Sequence, residues 1–102
     1  MPSKVIWSPK AQTSYIRIAD FILKKWSLKE VKDFTDITSS TIFAITRNPE
    51  LFEVSKHKKD IRRGFITKHT SLLYRIKADK IELVYFWDNR QHPKKLKRIT
   101  KP

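Results

Sequence analysis

The segment from Asp60 to Leu96, DIRRGFITKHTSLLYRIKADKIELVYFWDNRQHPKKL, constrains the fold more than any other part of this sequence. Its apolar and aromatic residues cluster into runs that predict three successive strands, Ile61–Thr67, Leu72–Lys77 and Ile81–Trp87. Short polar turns separate these runs, and such turns join antiparallel neighbours. The segment therefore predicts a three-stranded antiparallel meander.

The last of these strands is apolar on both faces, which is typical of a strand in the middle of a sheet. Simple alternation places two sets of side chains on opposite faces: Ile81, Leu83, Tyr85 and Trp87 on one, and Glu82, Val84 and Phe86 on the other. After Trp87 the chain turns polar and cationic, with the sequence DNRQH at 88–92. Because the end of a central strand is rigid, Arg90 is a candidate functional residue.

The first half of the chain predicts a strand and two helices. Lys4–Trp7 is a short β-like run, and Ser8-Pro9 offers an N-cap followed by proline in the first helical turn. Apolar residues then recur at spacings of three and four, at Ala11, Tyr15, Ile18, Ala19, Ile22 and Trp26. Ser27 and Glu30 have the spacing of a capping box, so a second helix begins there and ends at Asn48-Pro49. The two helices are nearly contiguous and must form a hairpin.

Composition limits the partners of this chain. Its 102 residues fit one domain, 1–102, with 93–102 as a basic tail or a short helix. Lys and Arg number 23 against 10 acidic residues, which gives a net charge of +13 and indicates a polyanionic partner. Nucleic acid is the first expectation and an acidic protein the second.

The sequence also indicates which chemistry to leave aside. It has no cysteine, and its three histidines are scattered without metal-ligand spacing, so we expect no metal. Gly64 is the single glycine, which argues against a phosphate-cradling loop and therefore against a nucleotide cofactor. No apolar run approaches the roughly 20 residues that cross a bilayer, so we expect a cytoplasmic protein with no membrane partner.

Several segments together resemble the RelE/ParE family of bacterial toxins from toxin–antitoxin pairs. They are the opening IWSPKA, the helix pair, the strand with two adjacent arginines, LYRI (Leu73–Ile76) and FWDNRQHPKKL (Phe86–Leu96). The resemblance covers nearly the whole chain. It implies an α+β fold in which an N-terminal strand and a helical hairpin pack on a twisted antiparallel β-sheet.

The resemblance also implies a function. One branch of the family cleaves messenger RNA on the ribosome, and the other poisons DNA gyrase. We expect a toxin of a type II toxin–antitoxin system, held inactive by an acidic antitoxin. The activity that we expect first is RNA cleavage without a metal or a cofactor. Gyrase poisoning is the alternative. A non-catalytic basic module that binds nucleic acid would account for the charge but not for the resemblance.

Four residues are carried over from the resemblance as catalytic candidates. Arg90 matches the position of a functional arginine, and either Arg62 or Arg63 corresponds to a second one. Because neighbouring residues of a strand point to opposite faces, only one of this pair can share a site with Arg90. His92 lies close to where family members keep a tyrosine or histidine for proton transfer. The sequence has no tyrosine after Tyr85, so His92 would have to take that role.

Five lysines are candidates for nucleic-acid binding: Lys56, Lys58 and Lys59 in the loop before the meander, and Lys94 and Lys95 in the tail. Each candidate also has a structural interpretation. The lysines could form a solvated charge run, Arg90 could form a salt bridge with Asp88, and His92 could be exposed and inert.

Overall fold

A computed structural model describes residues 4–56 and 58–89. In chain order, its elements are β1 (Lys4–Trp7), α1 (Pro9–Lys25), α2 (Leu28–Arg47), β2 (Arg62–Thr67), β3 (Thr70–Lys77) and β4 (Lys80–Asp88). The predicted strand, helical hairpin and meander are therefore confirmed. The predicted tail at 93–102 lies outside the described residues. Neither helix of the described part has the length and hydrophobicity that crossing a membrane requires.

Serine caps begin both helices, as the sequence predicts. The Ser8 hydroxyl accepts a hydrogen bond from the Ala11 N–H at 3.0 Å, and Pro9 is the first helical residue. The Ser27 hydroxyl accepts from the Lys29 N–H at 3.2 Å and donates to the Glu30 carboxylate. The bond from Ser27 lowers the pKa of Glu30. Ser27 and Glu30, with the S-x-x-E spacing, thus cap the helix, and the Glu30 carboxylate contacts the side chain of Ser27.

The four strands form one sheet in the order β1-β4-β3-β2, so β4 is central, as its two apolar faces predict. β2 pairs with β3, and β3 with β4, in the expected antiparallel direction. β1 pairs with β4 in parallel, which makes the sheet mixed. A parallel pair is possible here because the helical hairpin and two strands separate β1 from β4, and no tight turn joins them.

A bulge in β4 corrects the predicted alternation. Leu73 pairs with Tyr85, but the next residue of β3, Tyr74, pairs with Leu83, so Val84 is an extra residue on β4. The extra residue exchanges the two faces for the rest of the strand. Phe86 joins the main core below the helices, whereas Trp87 packs on the opposite face of the sheet. The alternation was wrong beyond Val84 because a period of two cannot reveal an inserted residue.

Two hydrophobic clusters lie on the two faces of the sheet. The larger one fills the space between the helices and the sheet, and Trp7, Tyr15, Phe34 and Phe86 form an aromatic group within it. The smaller one, around Ile61, Leu73 and Trp87, lies on the face away from the helices, which we call the open face. Trp26 belongs to neither cluster and is 66% exposed, although the helical periodicity placed it on the apolar stripe of α1.

A serine of α1 completes the hydrogen bonding of β4 where β1 is too short to do so. The last β1–β4 pair is Trp7 with Leu83, whereas β4 continues to Asp88. Beyond that pair, the Phe86 N–H donates to the Ser14 hydroxyl at 2.9 Å. That hydroxyl also donates to the Lys10 carbonyl at 2.7 Å. Ser14 therefore docks α1 on the edge of the central strand.

Replacing Ser14 with alanine is expected to destabilise the fold by about 1–3 kcal/mol, because the buried Phe86 N–H would lose its acceptor. Ser14 is only 4% exposed, so water cannot easily replace the hydroxyl. Urea denaturation of Ser14→Ala against the unsubstituted chain measures this difference. Ser40→Ala, at an exposed position of α2, is the matched control and should change the free energy of unfolding little. Equal stability of the two variants would show that the Ser14 bond contributes nothing.

Candidate functional site

The two adjacent arginines of β2 point to opposite faces of the sheet. Arg62 pairs with Tyr74, whose side chain lies in the main core, and its Nη1 donates to the Phe52 carbonyl at 2.7 Å. Arg63 pairs with Leu73, whose side chain lies on the open face. Arg62 therefore makes a structural contact on the face of the sheet toward the helices, and Arg63 lies on the open face.

Arg63 is held by two side chains from neighbouring strands. Its Nε donates to Ser71 Oγ at 3.2 Å, and its Nη2 donates to Asn89 Oδ1 at 2.8 Å. Ser71 Oγ itself donates to Asn89 Oδ1 at 2.6 Å. The backbone N–H of Asn89 donates to the His69 carbonyl at 2.8 Å, which anchors the end of β4 to the β2–β3 turn. The guanidinium is therefore fixed beside Asn89, the residue that precedes Arg90.

The partners of Arg63 differ in charge from those of Arg75, a second arginine on the described part of the open face. Arg75 donates to Glu82 at 2.6 Å and lies 3.5 Å from an Asp60 oxygen. The hydrogen bond to Glu82 raises the pKa of Arg75, and its positive charge is neutralised locally. Ser71 and Asn89 are neutral, so they orient Arg63 without cancelling its charge. A guanidinium held in this way is suited to binding an anion.

Arg63 lines a cleft with residues of the loop before β2. We call this the Arg63 cleft; it has a volume of about 260 Å³ and is lined by Glu53, Val54, Ser55, Lys56, Arg63 and Phe65. The loop is held against β2 by a bridge between Val54 and Arg62 and by the Arg63 N–H, which donates to the Glu53 carbonyl at 3.1 Å. The backbone of β2 therefore fixes the position of the loop.

The side chains of the Arg63 cleft combine three kinds of chemistry. Arg63 and Lys56 supply positive charge, and Glu53 supplies a carboxylate. The ring of Phe65 is 56% exposed, and its centroid lies 5.6 Å from the Arg63 guanidinium carbon. An exposed aromatic ring beside cations is a typical stacking platform for a nucleic-acid base. The cleft can therefore bind a phosphate and an adjacent base.

The predicted site residues fall into three groups. Arg63 and Lys56 share the cleft, whereas Arg62 does not reach it. Lys58 and Lys59 lie in the same loop but do not line the cleft, so their role in binding stays a prediction. The remaining candidates, Arg90, His92, Lys94 and Lys95, lie outside the described residues. So does the proposed salt bridge between Asp88 and Arg90.

The residues predicted from the sequence do not include Phe65 and Glu53, which line the Arg63 cleft, or Ser71 and Asn89, which hold Arg63. Phe65 and Ser71 could have been found from the alternation of β2 and β3, because each lies on the face of Arg63. Asn89 belongs to the polar sequence DNRQH at 88–92, which gives it no individual signal. Glu53 has no signal because it is a loop residue. Among residues 4–56 and 58–89, no group of His, Asp and Glu side chains could hold a metal ion.

Comparisons with known proteins place this architecture. Residues 5–93 match the family model of the ParE toxin of the type II toxin–antitoxin system parDE. The fold is similar to a chain of the chromosomal ParDE toxin–antitoxin system from P. aeruginosa, with a TM-score of 0.72 and 12% identity over 85% of this chain and 96% of that one. No curated protein matches the sequence.

Two other solved structures share the fold. One is a copper-bound mutant toxin from Helicobacter pylori, with a TM-score of 0.63 and 17% identity over 85% of this chain and 94% of that one. The other is the YoeB dimer from Staphylococcus aureus, with a TM-score of 0.58 and 15% identity over 83% of this chain and 94% of that one. At these identities the likeness establishes the shared fold and nothing about activity.

Proposed function

This chain belongs to the ParE toxin family of type II toxin–antitoxin systems, and we propose that its toxic activity is metal-independent cleavage of messenger RNA on the ribosome. The observation that carries the proposal is the Arg63 cleft. There a guanidinium held by neutral oxygens lies in the same cleft as a carboxylate, a lysine and an exposed aromatic ring.

RNA cleavage without a metal proceeds by attack of a ribose 2′-hydroxyl on its own 3′-phosphate. The reaction needs a proton acceptor for the hydroxyl, a proton donor for the leaving oxygen and positive charge around the phosphate. In our proposal Arg63 binds the phosphate, Glu53 accepts the proton, and Phe65 stacks on a neighbouring base. Lys56 adds positive charge at the rim of the cleft.

The family resemblance adds roles for Arg90 and His92 to the proposal. Asn89 contacts Arg63 directly, and Arg90 follows Asn89 in the sequence. Arg90 would supply a second cation for the phosphate, and His92 would donate the proton to the leaving oxygen. The tail lysines Lys94 and Lys95, with Lys58 and Lys59 in the loop, would add long-range attraction for the RNA backbone.

Poisoning of DNA gyrase is the second candidate, and the family match to the ParE toxin favours it. That activity needs contacts to the target but no acid–base pair, so the cations of the open face would suffice. A basic module without toxicity accounts for the net charge of +13 but not for the family match. Both candidate targets are cytoplasmic, so we propose that the protein acts in the cytoplasm.

Induced expression in a bacterial host separates the two activities. Under the proposal, primer extension on host transcripts shows new 5′ ends within minutes of induction, and these ends lie within translated codons. Under the alternative, the purified chain with gyrase and plasmid DNA produces linear, cleaved DNA, and transcripts stay intact. Cleaved gyrase complexes with intact transcripts would overturn the proposal.

The family implies an antitoxin partner, and we propose that it presents an acidic, amphipathic segment to the helical hairpin. A groove of about 310 Å³ lies between the hairpin and the β2–β3 turn. Its lining includes the apolar residues Ile22, Trp26, Phe34 and Ile37, which would take the apolar face of the segment, and the carboxylates Glu30 and Asp33. The net charge of +13 favours acidic residues on the polar face of the partner, which would meet the cationic surface outside this groove.

Trp26→Ala is expected to weaken antitoxin binding at least tenfold, because an exposed tryptophan at a groove is a typical hot spot. Co-expression with small acidic proteins from neighbouring genes, followed by a titration of the one that co-purifies, measures the loss. Phe43→Ala removes an exposed aromatic side chain of α2 that does not line the groove, and it should leave the affinity unchanged. Equal affinities for the two variants would place the antitoxin elsewhere.

A further inference from the structure

A second cationic cleft lies between α1 and the edge of β4 that β1 leaves unpaired. We call it the α1 cleft; it has a volume of about 390 Å³, and Lys10, Thr13, Arg17 and Tyr85 contribute to its lining. The three helical residues are three and four positions apart, so they project from one face of α1. The cleft exists because β1 ends at Trp7, which leaves α1 beside the part of β4 that follows the bulge.

The charge of the α1 cleft is not balanced by neighbouring carboxylates. The ion pairs of the hairpin join Lys24 with Asp20, Lys29 with Asp33 and Lys32 with Asp36, all further along the chain than Arg17. Within residues 4–56 and 58–89, no ion pair includes Lys10 or Arg17. Thr13 supplies a hydroxyl between the two cations, which is a donor set suited to a phosphate.

The α1 cleft and the Arg63 cleft lie along one row of the sheet. Tyr85 pairs with Leu73, and Leu73 pairs with Arg63, so one cross-strand row contains a lining residue of each cleft. Two strand spacings separate the backbones of Tyr85 and Arg63, which is about 10 Å. A few nucleotides of a single strand span such a distance. Tyr85 also offers an aromatic ring at the edge of the α1 cleft, as Phe65 does at the Arg63 cleft.

We propose that the α1 cleft is a second nucleic-acid subsite, in which Lys10 and Arg17 hold a phosphate of single-stranded RNA and Tyr85 stacks on the adjacent base. The RNA would run across the open face, with one of its phosphates in the Arg63 cleft and another in the α1 cleft. This inference rests on the proposed function, because it adds a contact for the same RNA.

The test is a binding titration with the purified full chain. The probe is a fluorescent ten-nucleotide RNA with 2′-O-methyl groups, which cannot supply the attacking hydroxyl. The variant Lys10→Gln/Arg17→Gln is expected to bind about tenfold more weakly, and the salt dependence should flatten by about 0.7 in log–log slope, because the one phosphate that this pair holds is no longer neutralised. The control Lys77→Gln/Lys80→Gln removes the same charge from an exposed cross-strand pair at the far end of the sheet and should change the affinity less than twofold.

Tyr85→Leu supplies an independent measurement. Loss of stacking should weaken binding about tenfold and leave the salt slope unchanged, because a base–ring contact releases no counterions. Circular dichroism of each variant reports whether the fold is retained, and the lysine–arginine variant carries the test if Tyr85→Leu unfolds.

Four outcomes would overturn the inference, and they are distinguishable. Failure of the unsubstituted chain to bind this RNA would remove both the subsite and the proposed function. Normal RNA binding by Lys10→Gln/Arg17→Gln, or an equal loss in the Lys77→Gln/Lys80→Gln control, would remove the subsite alone. A parallel titration uses a polyglutamate peptide as the probe. If Lys10→Gln/Arg17→Gln no longer binds this peptide but still binds the RNA normally, the α1 cleft serves an acidic protein and the inference is wrong.

Discussion

Arg63→Ala is expected to abolish toxicity, with a loss of about 10²–10³-fold in the rate of RNA cleavage, the cost of removing one fixed donor from a charged transition state. Arg63 is the cation that Ser71 and Asn89 orient on the open face, and it lines the cleft that we propose binds the scissile phosphate. Growth inhibition and primer extension at equal expression measure the effect. Arg63→Lys should rescue it only in part, because an ammonium cannot reproduce the planar fork of two hydrogen bonds.

Arg62→Ala is the matched control, since it removes the same side chain from the neighbouring position. Arg62 donates to the Phe52 carbonyl on the other face of the sheet, so its loss should lower the free energy of unfolding by about 1–3 kcal/mol. Toxicity should persist at temperatures where the variant stays folded. If Arg62→Ala is inactive and well folded while Arg63→Ala stays fully toxic, the active site does not lie on the open face and the proposal is wrong.

Glu53→Gln is expected to lower the rate of RNA cleavage by about 10²-fold or more, because glutamine has the shape of glutamate but cannot accept the proton of the 2′-hydroxyl. RNA binding should be unchanged or slightly stronger, since a negative charge leaves the cleft. Single-turnover cleavage on programmed ribosomes separates the two effects. Glu50→Gln, a nearby exposed carboxylate that does not line the cleft, is the control and should keep full activity.

This substitution also discriminates between the two candidate activities. Gyrase poisoning requires no proton acceptor, so Glu53→Gln would remain toxic and would still stabilise cleaved gyrase complexes. Loss of RNA cleavage in Glu53→Gln with retained RNA binding would support the assignment of Glu53 as the base. Full cleavage by Glu53→Gln would refute that assignment, and His92→Gln would then be the next variant to test for proton transfer.

The sequence predicted the elements well because local chemistry determines them. Ser8-Pro9 and Ser27 begin the helices through contacts within three residues, and Asn48 ends α2. The apolar faces of Ile81–Trp87 predicted a central strand, and the structure confirms it. Prediction failed where a distant part of the chain decides the result. The bulge at Val84, for example, exists only in the pairing of β3 with β4.

The proposed site was also predictable only in part from the sequence. The sequence by itself predicted the two adjacent arginines, the cationic loop and the strand end as site residues, because residue type and period are visible in one dimension. Only the tertiary structure shows that Arg63, and not Arg62, lines the cleft of the proposed site, since β2 packs one face against the helices and turns the other to the open face. It also brought Glu53, Ser71 and Asn89 to Arg63 from three separate segments. Pairing between distant strands sets such contacts, and a single sequence contains no periodic signal for them.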